Sequence, residues 1–125
     1  MNLVNMYEEY KEFNKNFVDF INDLITNDFS SLNKADIMDK LVEGKDFFSN
    51  LQTKCETINI ESSDVNNLKD LQYLIVDGLF LTIDLINFYN VNEYDRFKMR
   101  AANYMNKGRL TEMFKQSKNC SIMDL

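Results

Sequence analysis

Residues 3–24 read LVNMYEEYKEFNKNFVDFINDL, and their apolar side chains recur three and four positions apart in strict alternation. This spacing returns to one face of an α-helix every two turns, which is the a/d pattern of a packed helix. Tyr7, Ile21 and Ile25 widen the stripe to the breadth that a bundle helix needs. The stretch therefore predicts a helix over about residues 2–28. The stripe consists of Leu3, Met6, Tyr10, Phe13, Phe17, Phe20 and Leu24.

Two more helices are predicted downstream. The second follows Asn33, a plausible N-cap, and has its own alternating stripe. The third covers about residues 64–89 and is apolar on most sides, apart from one acidic line of Asp70, Asp77 and Asp84. A helix of that kind is usually central, so we expect it to be the most buried of the set or to form an oligomer interface. The stripe of the second helix is Ile37, Leu41, Gly44, Phe48, Leu51, Cys55 and Ile58.

Gly44 interrupts the second stripe without a side chain. Two interpretations are open at this point. Gly44 is either a local weak spot, costing about 1 kcal/mol relative to Ala, or the place where the aromatic residues of the first helix approach closely.

A fourth helix is predicted from Glu93, with Gly108 ending or bending it. Leu110, Met113 and Phe114 then suggest a short last turn that docks on the bundle. The chain has no Pro and only three Gly, which favours long helices over a many-stranded sheet. We therefore expect an all-α fold, an antiparallel up-and-down four-helix bundle with a short C-terminal helical turn. Residues 1–118 would form one domain, and 119–125 a frayed tail.

Charge and composition exclude several classes of protein. Residues 1–95 hold 18 acidic and 7 basic residues, whereas 96–125 hold 7 basic and 2 acidic ones. An acidic body disfavours nucleic-acid binding, because phosphate contacts need clustered bases. The basic stretch is read as an internal match to the acidic body or as a surface for an anionic partner. The absence of His removes His-dependent catalysis and His metal sites.

The two Cys residues do not form a disulfide framework, and the N-terminus lacks the pattern of a signal peptide. The most apolar stretch, residues 71–88, contains Asp77 and Asp84 and is expected to be too polar for a membrane span. These features predict a cytoplasmic location, with no membrane contact.

The aromatic stripe of the first helix is expected to be core, with a groove for a partner's amphipathic helix as the alternative. Other aromatic residues lie near helix ends or off the main seams, so we expect them to be exposed partner contacts, together with two arginines. This candidate partner surface comprises Phe29, Phe47, Tyr89, Tyr94, Arg96 and Arg100.

Acidic residues form two short motifs. Residues 8–12 spell EExxE and residues 43–46 spell ExxD. The pair resembles the acidic signature of the all-α NTP pyrophosphatases, the MazG and dimeric dUTPase-like group. That resemblance implies a bundle in which Glu9, Glu12, Glu43 and Asp46 bind the Mg²⁺ ions that hold a nucleotide's phosphates and activate water. The alternative is that these acids are solvated side chains on helix surfaces.

The preferred functional expectation is a small acidic cytosolic binding or adaptor protein that holds a partner protein's helix and is not an enzyme. It would need no cofactor and would bind no nucleic acid, and a homodimer is a further option. Its general character is similar to that of bacterial secretion and flagellar-export chaperones, which is an analogy at the level of the fold. The alternative is the Mg²⁺-dependent nucleotide pyrophosphohydrolase.

Overall fold

The computed structural model describes residues 2–118, with side chains described as far as Lys107. This part of the chain forms four α-helices and one 3₁₀ turn, and it contains no strand. The all-α fold class is therefore confirmed. The helices are α1 (Leu3–Thr26), α2 (Lys34–Thr57), α3 (Val65–Asn90) and α4 (Tyr94–Lys118), and the 3₁₀ turn is Ser62–Asp64.

Asparagine caps begin the first two helices. The Asn2 side chain accepts a hydrogen bond from the backbone N–H of Asn5, and Asn33 accepts one from Asp36, each at 2.8 Å. Such bonds satisfy N–H groups that a helix leaves unpaired at its start. The helix α3 begins differently, because the 3₁₀ turn leads into it and no side chain caps it.

The expectation of a separate short C-terminal turn is wrong, because α4 runs from Tyr94 to Lys118 without a break. Gly108 lies within the helix. A glycine keeps its backbone N–H, so it weakens a helix by only about 1 kcal/mol and does not end it as proline would. The side chains of Leu110, Met113 and Phe114 and the expected tail 119–125 lie outside the described residues.

The first two helices run in opposite directions. Lys54 of α2 bonds to Glu9 near the start of α1, whereas Lys40 lies over the ring of Phe20 near its end. The residue numbers rise along one helix as they fall along the other, so α1 and α2 are antiparallel.

Ion pairs show the same relation between α3 and α4. Lys107 binds Asp77 and Arg100 binds Asp84, with both pairs seven residues apart on each helix. The helix α4 therefore runs antiparallel to α3 along its acidic side.

Two glycines make room for aromatic rings in the core. A Cβ atom on Gly78 of α3 would lie 2.7 Å from ring carbons of Phe48, and one on Gly44 of α2 would lie 2.5 Å from Cε1 of Phe17. Real carbon atoms do not approach so closely, so each ring occupies the volume of a missing side chain. Gly44 is thus the place where the aromatic residues of α1 approach closely.

The stripe of α1 is core at its centre. Tyr10 and Phe17 are buried, and Phe13 and Phe20 are partly buried against the same cluster. The other members at the two ends of the stripe, Leu3, Met6 and Leu24, are buried as well.

We predict that Phe17→Ala lowers the free energy of unfolding by about 3–5 kcal/mol, because it empties a filled site. Phe80→Ala is the matched control, since Phe80 of α3 is 56% exposed. The control should change stability by about 0.5 kcal/mol. Equal unfolding midpoints in urea for the two variants would contradict the packed position of Phe17.

We also predict that Gly78→Ala destabilises the protein by about 1–2 kcal/mol, although alanine is the better helix former. The added methyl group collides with the ring of Phe48, which is fully buried. In a Phe48→Leu background the same substitution should be neutral or stabilising. Additive effects in this double-mutant cycle, measured by chemical denaturation, would show that the two side chains do not compete for space.

Candidate functional site

The four acids of the EExxE and ExxD motifs are not gathered into one site. The Oε1 atom of Glu9 forms an ion pair with Nζ of Lys54 at 3.3 Å, whereas Glu12, Glu43 and Asp46 are exposed. Among the described residues, no group of three or more His, Cys, Asp or Glu side chains could hold a metal ion. The motifs therefore do not form the ligand set that the pyrophosphatase resemblance implied.

A shallow cleft lies between α1 and α2 beside Glu43. Its volume is about 90 Å³, and its walls include Phe17, Phe20 and Lys40. Pockets that bury a small organic ligand are typically about 300–1,000 Å³. The cleft is therefore too small to hold a nucleotide.

Three of the aromatic residues expected to contact a partner lie in one cluster near the ends of α1 and α3. The ring centroid of Phe29 is 6.0 Å from that of Tyr89, 5.0 Å from Tyr94 and 5.1 Å from Phe97. Tyr89 is only 3% exposed, so the expectation that it is a surface contact is wrong. Its burial, with Tyr94 as a further contributor, raises the pKa of its phenol.

Phe29 is held in this cluster by its backbone. Its φ is 63°, in the left-handed region, and its N–H donates to the carbonyl of Leu24 at 2.7 Å, which ends α1. A bulky residue in that conformation is strained, and packing of its ring offsets the strain. Phe29 therefore has a structural role, and it is half-buried rather than exposed. Tyr94 is 37% exposed at the rim.

Phe47 also differs from its expected exposure. Its ring stacks on that of Phe13 of α1, with centroids 3.9 Å apart and planes inclined by 8°. It also contacts the buried Phe48 edge-on. Phe47 is thus part of the α1–α2 interface and is half-buried.

The two candidate arginines have intramolecular partners. The Nε atom of Arg100 donates to Oδ2 of Asp84 at 2.8 Å, and Arg96 pairs at 3.4 Å with Glu93, the residue just before α4. With Lys107 bound to Asp77, these contacts show the internal match between the basic stretch and the acidic body.

An exposed apolar stripe lies on α3 and was not assigned from the sequence. We call it the α3 outer face and define it as Tyr73, Val76, Phe80 and Ile83. Tyr73 is 70% exposed and Phe80 is 56% exposed, while Val76 and Ile83 are half-buried. The four residues are spaced three, four and three apart, so they form one stripe along the helix.

A pattern in the sequence of α3 could have indicated this surface. The helix α3 is apolar on nearly all sides, and its second stripe has the same spacing as the core seams. Its orientation follows from Gly78, which faces Phe48. Val76 and Phe80 are two residues away on either side, about 160–200° around the helix, and therefore point outward.

Within the described residues, Ser62–Asn90 is the one stretch that is long and apolar enough to cross a membrane, with a mean hydropathy of 1.4. By this measure the expectation that it is too polar is not confirmed. Core helices of soluble proteins that are mostly buried meet the same criterion, whereas 33% of this window is buried in the bundle. Placing the Asp77 and Asp84 ion pairs in hydrocarbon would also be costly.

Buried ionisable side chains have structural roles. Burial, followed by the nearby Glu56 carboxylate, raises the pKa of the Cys55 thiol to about 11, so the thiol is protonated at neutral pH. The hydroxyl of Tyr104 donates to Oδ1 of Asn14 at 2.6 Å and ties α4 to α1. Burial raises the pKa of Tyr10 and raises that of Tyr104 to about 12.

We predict that millimolar Mg²⁺ leaves the melting temperature unchanged relative to NaCl of equal ionic strength. A metal site at a hundredfold excess over its Kd would instead add about 2.7 kcal/mol. Glu12→Gln combined with Asp46→Asn should change stability by less than about 1 kcal/mol, because both side chains are exposed. A Mg²⁺-dependent rise in melting temperature that the double variant abolishes would contradict this prediction.

No family model, no curated protein and no solved structure matches the chain.

Proposed function

We propose that this protein is a small, acidic, cytoplasmic binding protein that holds an amphipathic helix of a partner protein against the α3 outer face. Its role would be that of a chaperone or adaptor. The observation that carries the proposal is the exposure of Tyr73 and Phe80 in an apolar stripe.

The spacing of the stripe favours a helical partner. Residues three and four apart form a seam into which the side chains of a second helix fit. Tyr73 and Phe80 provide large rings, and aromatic residues are enriched among the side chains that dominate binding energy. The half-buried Val76 and Ile83 lie between and beyond them and extend the apolar floor.

The position of the stripe also supports a binding role. The opposite side of α3 is buried in the core at Leu71, Ile75 and Leu85, so the helix is a rigid platform. A preformed surface loses little entropy when a partner binds, which improves affinity.

We predict that Tyr73→Ser combined with Phe80→Ser abolishes partner binding while the fold remains. The control is Val4→Ser with Val42→Ser, because these valines are 45% and 39% exposed on α1 and α2. Immobilised wild type and control should capture the same protein from the native host, and the α3 variant should capture at least tenfold less of it.

A photo-crosslinking side chain at position 80 should then react with one segment of the captured protein, and that segment should have a helical apolar period. Equal capture by all three proteins, or a crosslink to a non-helical segment, would contradict the proposal. Circular dichroism of each variant checks that the bundle has formed.

A further inference from the structure

We infer that the helix held on the α3 outer face carries Lys or Arg along one edge, the edge that meets Asp70, Asp77 and Asp84. This inference rests on the proposed function and specifies the partner's chemistry. Two observations support it. The three aspartates lie beside the apolar stripe, and the opposite edge of the stripe carries no charged residue.

The three aspartates form a line beside the stripe. They are seven residues apart, which returns to nearly the same angle around a helix. Asp77 is four residues after Tyr73, and Asp84 is four residues after Phe80, so each acid lies one turn from an exposed ring. In a two-helix seam these positions flank the apolar contact and face the charged residues of the other helix.

The opposite edge of the stripe has no charge. The residues at the same seven-residue spacing there are Gln72, Leu79 and Ile86. Leu79 and Ile86 are partly buried against the core. A docked helix would therefore meet charged side chains on one side only, where Lys107 and Arg100 of α4 already bind two of the three carboxylates, so its charge pattern would determine its direction.

The ion pairs to α4 leave this edge able to accept further donors. Lys107 and Arg100 each donate to the Oδ2 atom of an aspartate. The side chains of Asp77 and Asp84 remain 38% and 44% exposed. Asp70 forms no ion pair within the described side chains, residues 2–107.

The same aspartates disfavour binding of a second copy of this chain to the α3 outer face. In an antiparallel pair of α3 helices, the two aspartate lines would lie on the same side and face each other. Like charges in that position are destabilising. The whole chain also has a net charge of −6, so two copies repel at long range, whereas a basic helix is attracted.

The test uses two alanine-based helical peptides of the same length that carry leucine at the three-four spacing. One has lysines at the positions along one edge, and the other has glutamates there. The protein is measured as wild type, as Asp70→Asn with Asp84→Asn, and as a control with Asp19→Asn and Asp39→Asn, which removes two exposed acids on α1 and α2. Fluorescence anisotropy gives Kd at low and at physiological salt.

The lysine peptide should bind the wild type about tenfold more tightly than the glutamate peptide at low salt, and added salt should reduce the difference. The α3 double variant should reduce that preference about fivefold, and the control variant should retain it. All proteins carry the same apolar stripe, so a loss confined to the α3 variant measures the aspartates alone.

Equal binding of both peptides to the wild type would overturn the inference and leave the proposed function standing. Failure of both peptides to bind would count against both. Two further results would also overturn it: a concentration-dependent dimer that Phe80→Ser abolishes, or binding of the protein to phospholipid vesicles that the same substitution abolishes.

Discussion

The ring of Phe48 fills the space beside Gly78, and this contact determines how α3 is turned in the bundle. A Cβ atom at Gly78 would lie 2.7 Å from that ring, so only a glycine can face α2 at this point. Because Gly78 points inward, Val76 and Phe80 point away from the core. The inner side of α3 is already occupied by Leu71, Ile75, Leu81 and Leu85, all fully buried. Tyr73 and Phe80 therefore have no interior site, and the α3 outer face is the consequence.

The position of α4 follows from charge on a third side of the same helix. Asp77 and Asp84 bind Lys107 and Arg100, and these pairs place α4 beside the acidic line. Exposed ion pairs contribute little stability, so apolar residues such as Phe97 hold the helix while the charges fix its register. The core, α4 and solvent thus lie on different sides of α3, and Tyr73 and Phe80 are on the side that faces solvent.

The sequence predicts the helices and the buried face of α1, but it does not predict which residues of α3 are exposed. The α1 stripe is unambiguous, because its polar residues leave one possible inner face, and its members Tyr10 and Phe17 are buried as the spacing predicts. The helix α3 has apolar residues on almost every side, so spacing alone cannot show which of them face inward. The position of Gly78 indicates the inward side of α3, but this is apparent only from its contact with the ring of Phe48 in α2.

The aromatic residues near helix ends show a second limit of sequence patterns. Phe29 and Tyr89 are off the main seams, which suggested exposure, but the chain reverses direction there and brings them together. The reversal depends on left-handed backbone at Asp28 and Phe29, which no residue preference indicates for phenylalanine. Exposure at a helix end depends on the turn, whereas exposure in the middle of a helix depends on the neighbouring helices.

In the proposed function, stability and partner binding depend on opposite sides of one helix. The residues that pack around Phe48 and Gly78 cannot change without altering the core, because their contacts are already close. The residues of the outer face contact few others, so a substitution at Tyr73 or Phe80 leaves the inner packing as it is. A rigid α3 keeps the apolar stripe and the aspartate line at fixed angles to each other, which a flexible segment could not do. If a partner helix docks as proposed, the apolar stripe would provide the area for binding, and the charged edge would distinguish one partner helix from another.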